Sequence, residues 1–190
     1  MPTNNEKRTI TAKDLYQFRL ITDCDISPDG EHVVFCVQRV DEETEKKYTN
    51  LWVVPTADGD PRQFTYGDHA DTKPTWSPDG TRIAFLSNRD DEEQPQVYTI
   101  PFAGGEAQGL TDVKGEFGSL EWSPDGDRLL CQFRKKDEEA IEREQDEQKK
   151  ELGVVSRQVE RVFFKLDGRG FLPKERWHIW TIDAESGETT

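Results

Sequence analysis

Apolar residues fall in short runs along this chain, and each run is bounded by Pro, Asp and Gly. Runs such as Arg82-Ile83-Ala84-Phe85-Leu86, Leu51-Trp52-Val53-Val54 and Val97-Tyr98-Thr99-Ile100 are rich in β-branched and aromatic residues. Such runs between turn signals predict strands, and runs such as Arg82 to Leu86 read as buried ones. The runs come in register. Ile26-Ser27-Pro28-Asp29-Gly30 returns as Trp76-Ser77-Pro78-Asp79-Gly80 and again as Trp122-Ser123-Pro124-Asp125-Gly126, in steps of 50 and 46 residues. The segments that follow, EHVVFCV, TRIAFLS and DRLLCQF, align as well. A second motif keeps step with the first: LWVVPTADGDPRQFT from Leu51, VYTIPFAGGEAQGLT from Val97 and IWTIDAESGETT from Ile179.

Ser-Pro-Asp-Gly suits a type I turn. Pro presets φ at the second position, Asp is tolerated at the third, and Gly accepts the left-handed conformation at the fourth. Ala57-Asp58-Gly59-Asp60 and Ala103-Gly104-Gly105-Glu106 read as hairpin turns. Each unit therefore holds about four short antiparallel strands, which is the blade of a β-propeller. Solenoids are disfavoured because hairpins mean antiparallel pairing. The predicted class is all-β: a partial β-propeller of about three four-stranded antiparallel blades, with a short N-terminal helix and a charged helical or disordered insertion. The predicted divisions are a lead-in over 1–22 and an incomplete propeller over 23–190. Its blade units cover about 23–67, 68–113 and 114–190, with the insertion at 134–176.

The third unit is interrupted after Gln132-Phe133 by a polar stretch, Arg134 to Glu151, of helix-forming composition with little apolar face. Val159-Glu160-Arg161-Val162-Phe163-Phe164 returns to an apolar strand pattern, and Leu166 to Phe171 reads as a turn and a strand start. Trp177-His178-Ile179-Trp180 resumes the blade. At the front, Thr11-Ala12-Lys13-Asp14 resembles a capping box opening a short helix through Phe18. Leu15 and Phe18 then share a face, placed either as a lid on blade one or against a second domain. Thr190 falls inside a predicted strand, which suggests part of a larger ring, since propellers have typically 4–8 blades and protect their edges by closure.

Charge narrows the function. The sequence has 25 Lys and Arg against 39 Asp and Glu, for a formal net charge of −14. That field disfavours nucleic acid and anionic membranes as partners. The acidic excess runs the whole length. It reads as a salt-adapted, halophilic-type surface, because molar salt shortens the screening length to about 3 Å, or as an ordinary solubilising surface. No apolar run could span a membrane, and the first residues lack a secretory apolar core. Cys24, Cys36 and Cys131 lack motif spacing and cannot all pair, which favours a reduced, cytoplasmic setting. Cys131 aligns with Phe35 and Phe85, and Cys36 with Leu86, so both read as core fillers.

Chemistry is sparse. The sequence contains no Gly-x-Ser-x-Gly elbow, phosphate-binding loop or His-Glu-x-x-His motif. His32 and His178 sit in strand-like contexts and read as half-buried structural residues. His69, in Gly67-Asp68-His69-Ala70-Asp71, lacks a ligand cluster. Asp90-Asp91-Glu92-Glu93 reads as a solvated loop. No catalytic, cofactor-binding or metal residue is assigned, and no cofactor is expected.

The opening, from Thr11-Ala12-Lys13-Asp14-Leu15 through Ile26-Ser27-Pro28-Asp29-Gly30, resembles the propeller start of prolyl oligopeptidase family serine peptidases. The nearest branch is the acylaminoacyl peptidase-like enzymes, to which VERVFFKLDGRG (Val159 to Gly170) before the strand Trp177–Ile182 is also similar. Ser-Pro-Asp-Gly blades also occur in Tol-type propellers. The resemblance implies an N-terminal propeller that screens peptides for a C-terminal α/β-hydrolase domain with a Ser, Asp and His triad. None of the triad positions lies in this chain, so the chain alone is expected to be inactive. Some dipeptidyl-peptidase relatives hold a substrate amino terminus with propeller glutamates, and Glu92, Glu93 and Glu142 do not match that motif. The expected partners are the missing hydrolase domain, peptide substrates in the full enzyme and a possible second copy of the chain. The alternative function is a stand-alone propeller-type protein-binding module.

Overall fold

The structure is a computed structural model, and it describes residues 8–154, 156, 159, 162–167 and 170–190. A 3-10 helix, Ala12–Gln17, leads into the sheets. The first sheet is β1 (Leu20–Ile26), β2 (His32–Val40), β3 (Lys47–Pro55) and β4 (Arg62–Gln63), paired in that order. The second is β5 (Asp71–Trp76), β6 (Arg82–Ser87), β7 (Gln96–Pro101) and β8 (Gln108–Gly109), again in sequence order. The third sheet has β9 (Gly115–Trp122) and β10 (Arg128–Lys135). Two helices follow, α1 (Glu138–Gln145) and α2 (Glu147–Leu152), and then a small pair, β11 (Lys165–Leu166) with β12 (Gly170–Phe171). β13 (His178–Asp183) closes the third sheet on the free edge of β10. Every ladder pair is antiparallel. The sheets are thus propeller blades, as the repeat predicts.

The Ser-Pro-Asp-Gly turns build each β-hairpin alike. In all three, the Gly N–H donates to the Ser carbonyl and the Ser N–H donates to the carbonyl five residues on. Gly30, Gly80 and Gly126 take φ of 74°, 69° and 77°, the left-handed region that disfavours a side chain. The Ser hydroxyl then donates to the Asp carboxylate at 2.5 Å from Ser27, 2.6 Å from Ser77 and 2.5 Å from Ser123. These hydroxyl bonds and the backbone N–H two residues on hold Asp29 and Asp125 below the usual carboxylate range, and Asp79 down to about 2. A depressed folded-state pKa gives stability that is present above the ordinary carboxylate value and is lost as pH falls through the folded value. The thermal midpoint is therefore expected to fall steadily from pH 4 toward pH 2. An unchanged midpoint across that window would remove the turn carboxylates from the stability account.

Packing follows strand parity, because alternate side chains leave opposite sheet faces. Val34, Cys36, Leu51 and Val53 of the first blade meet Trp76, Ile83, Phe85, Tyr98 and Ile100 of the second. The alternate residues Ala84, Leu86 and Val97 of the second blade meet Leu120, Leu129, Cys131, Phe133 and Ile182 of the third. The middle blade is therefore apolar on both faces. Cys36 and Cys131 fill the two interfaces, and burial pushes their thiols up to about 12 and about 11. Trp122 ties blade three to blade two through its indole N–H, which donates to the Thr75 carbonyl at 3.1 Å.

Several features differ from the expectations. The third blade has three strands. Its fourth position is held only by the bridge between Ile182 and Thr189 and by paired hydrogen bonds between Thr181 and Thr190. The lead-in helix forms with its capping box, Thr11 and Asp14 satisfying one another's turn, and Arg8 also binds Asp14. The helix lies against β2, yet Leu15 and Phe18 face solvent. His178 is exposed, not half-buried. In the Val159 to Phe164 segment, Val159, Val162, Phe163 and Phe164 lie outside strands, and 160–161 lie outside the described residues.

Candidate functional site

In a propeller the first strand of each blade lies nearest the axis. Here β1 packs on β5 and β5 on β9, so the three first strands stand side by side as an axial wall. Each of them is bulged at the same place: between Ile21 and Cys24, between Thr72 and Thr75, and opposite the step from Cys131 to Phe133. A bulge sets two residues against one and redirects their side chains. The equivalent bulge positions hold Asp23, Lys73 and Ser119.

Apolar side chains at both ends of the arc stay open to solvent. The first residue of each turn motif shows it most simply. Trp76, covered by the first blade, is 5% exposed, whereas its equivalent Ile26 is 56% exposed. At the other end Ile179 is 75% exposed, while its equivalents Leu51 and Val97 are fully buried. Leu130 is exposed where Val34 and Ala84 are fully buried. Among the described residues, Ile26 on the leading face of blade one and Leu130 and Ile179 on the trailing face of blade three thus stay open to solvent, although their equivalents lie in blade interfaces.

Where β4 passes to β5, a charged cluster fixes the second blade to the first. Asp71 is fully buried at the start of β5. Its carboxylate meets His69 Nε2 at 3.2 Å and Arg89 at 3.1 Å. Burial alone would raise its pKa, but hydrogen bonds from His69, Ser87 and Thr65, with the Arg89 charge, bring it below the ordinary value. Arg89 lies over the Tyr98 ring at 4.7 Å and the Phe85 ring at 5.4 Å, and its Nε donates to Ser87 at 2.9 Å. Tyr98 donates to Asp90. Burial and that bond push the phenol up to about 12. Asn88 accepts from the Ala70 N–H at 2.6 Å, and Thr49 bridges to Ala70 across the blades.

These contacts make the cluster a strut between the two blades. Among the described residues no hydroxyl is hydrogen-bonded to His69, and Ser87 is buried beneath Arg89. A general base needs its nucleophile within hydrogen-bond reach. The Asp90 to Glu93 loop, expected to be only solvated, is tied in: Glu92 pairs with Lys46 of blade one at 2.8 Å. The His69–Asp71 pair escaped the sequence reading because its partners Arg89 and Ser87 come from another strand end. The spacing His69-x-Asp71 at a strand start was the available signal.

The remaining candidates are peripheral. Asp29, Glu31 and His32 bring one possible ligand atom each within 4.8 Å of one another. The same Asp serves the turn at Asp79 and Asp125 without a histidine, so its place there is explained by the turn. His32 packs edge-on against Phe102 at 5.0 Å. The insertion carboxylates make exposed ion pairs: Glu142 with Lys149 at 3.3 Å, Glu144 with Lys136 at 2.7 Å and Glu139 with Lys174 at 2.8 Å. A cleft of about 630 Å³ lies between α1 and the β11–β12 pair, lined by Ala140, Arg143, Phe163, Phe164, Phe171 and Leu172. No helix of the described residues is long and apolar enough to cross a membrane.

The architecture defines a partial β-propeller. Residues 12–161 match the model of the TolB beta-propeller domain, and the chain belongs to that family. It is 32% identical over 183 residues to the uncharacterized peptidase YuxL of Bacillus subtilis, covering 96% of this chain and 27% of that protein. The chain thus spans about a quarter of that relative's length. Pyrococcus horikoshii acylaminoacyl peptidase superposes with a TM-score of 0.71 at 22% identity, over 93% of this chain and 25% of the peptidase. The β-propeller domain of the Trilobed protease from Pyrococcus furiosus gives 0.57 at 18% identity, over 91% of this chain and 41% of that one. The chain therefore shares the propeller fold found in these peptidases.

Proposed function

We propose that this chain is the N-terminal propeller segment of a cytoplasmic serine peptidase of the acylaminoacyl peptidase type. In this reading the lead-in covers 1–22 and the propeller begins at 23. The segment's work is steric: a ring of blades admits short or unfolded peptides to a hydrolase domain that this chain does not contain. The chemistry there would be attack by a serine on the peptide carbonyl with histidine as base. The observation that carries the reading is the pair of uncovered apolar faces, which suits an arc that packs against further blades. A stand-alone binding module would leave those faces unexplained. Exposed apolar patches of interface type mark contact surfaces. The acidic surface, at a net charge of −14, is read as halophilic in type, because close screening at high salt removes most of its self-repulsion.

The test is direct. Acetyl-alanyl-p-nitroanilide incubated with the pure chain, at low and at molar salt, is expected to give no turnover above buffer. Turnover that follows the chain through purification would overturn the gating role.

A further inference from the structure

Among the described residues only two non-glycine residues have positive φ, Glu45 at 56° and Lys73 at 51°. Glu45 lies in the turn between β2 and β3, where such geometry is common. Lys73 lies inside β5, on the axial wall, within the bulge. An L-residue with a long side chain is strained there. The strain is compounded because the next residue is Pro74, and a residue before proline is driven toward extended backbone. Glycine would satisfy this backbone more cheaply. Strained residues of this kind gather at functional sites.

The fold gives the lysine side chain no task of its own. Its backbone N–H leans on the Cys36 thiol, which ties the bulge to blade one, but that bond needs no side chain. Lys73 is half-buried and, among the described residues, makes no ion pair. Other cations of the first two blades are engaged: Arg39 with Asp68 at 2.5 Å, Lys46 with Glu92 and Arg89 with Asp71. In a chain with 39 acidic and 25 basic residues, an unpaired ammonium on the axial wall is a point where an anion gains. Partial burial strengthens that attraction relative to the open surface. The equivalent positions in the neighbouring blades are Asp23 and Ser119, so Lys73 is the cation of these three described positions.

We propose that Lys73 is an anion-reading residue of the axial wall, holding a carboxylate carried by a short peptide as it passes along the blades. The inference rests on the gating reading and adds a substrate class to it: peptides bearing a carboxylate at one end or the other. The interaction is a charge-assisted hydrogen bond to a carboxylate oxygen.

The test uses the 190-residue chain, its K73Q and K73G variants and three probes: succinyl-Ala-Ala-Ala-amide, acetyl-Ala-Ala-Ala with a free C-terminus, and acetyl-Ala-Ala-Ala-amide. Dissociation constants come from NMR titration, reading the amides of β1, β5 and β9. At least one carboxylate probe is expected to bind about tenfold tighter than the neutral one, a difference of about 1.4 kcal/mol. The tighter of the two shows which end is read. K73Q is expected to erase the preference while leaving the neutral probe unchanged. K73G is expected to raise the thermal midpoint by about 2–4 °C, through relief of the backbone. Equal binding of all three probes to the wild-type chain, or a preference that survives K73Q, overturns the role of Lys73 and leaves gating standing. A K73G midpoint below wild type also overturns it, since the lysine would then serve the fold. If no probe perturbs the axial strands, this inference and the gating reading both fall.

Discussion

Truncating Phe85 to alanine is expected to lower the unfolding free energy by about 3–5 kcal/mol, the range for a buried phenylalanine. Against a typical total of about 5–15 kcal/mol, the variant would be partly unfolded at modest denaturant. Phe85 is fully buried in β6, facing blade one, and stacks on Tyr98 with ring centroids 6.0 Å apart. It also forms part of the platform under Arg89. Its removal opens a cavity at the first blade interface and loosens the cation that holds Asp71. The comparison is Ile179→Ala on the trailing face, where the side chain touches little. That change is expected to stay within about 0.5 kcal/mol. Urea unfolding followed by tryptophan fluorescence reads both. A Phe85→Ala variant as stable as wild type would mean that the blades do not pack as the structure has them.

The second large effect belongs to Asp71. Replacing it with alanine leaves Arg89 over the ring platform without its buried counter-charge, and breaking a buried pair from one side costs about 3–5 kcal/mol. The loss also has a pH signature. The folded pKa of Asp71 lies below the ordinary carboxylate value. Its contribution is therefore present at neutral pH and is lost as pH falls through the folded value. Wild type and Asp71→Ala should then differ most at pH 7 and converge in acid. A constant difference from pH 7 to pH 3 would assign the effect to the cavity and not to the charge. Asp71→Ala and Phe85→Ala share Arg89, so the double variant is expected to cost less than the sum of the two.

Much of the fold is legible in the sequence because a repeat reports the same physics three times. The turn motif sets each first hairpin, and the parity of the following residues sets which blade each one faces. Cys36 and Cys131 could be placed in the core from alignment with Leu86 and Phe85 alone. The third blade was harder. Its fourth position holds only the Ile182–Thr189 bridge and the Thr181–Thr190 hydrogen bonds, at the last residues of the sequence. The exposure of Leu15 and Phe18 was also hidden, since amphipathic spacing names a face without naming what covers it. The two features of the site were the least visible. The Asp71 cluster gathers residues from the end of β6, the loop before β5 and Thr65, which are distant in sequence. The backbone of Lys73 runs against local expectation: a residue before proline reads as extended, and only the bulge forces it over.

The blades stack as an arc whose leading face exposes Ile26 and Cys24. The three cysteines report on it directly, one for each position in the stack. Cys24 is exposed on the leading face, Cys36 is buried between blades one and two, and Cys131 is buried between blades two and three. Timed maleimide labelling of the native chain, read by intact mass, is predicted to add one label quickly, at Cys24. The other two should react only on unfolding, because burial raises both thiols well above the ordinary value. Rapid labelling of Cys36 or Cys131, or a protected Cys24, would contradict the open arc.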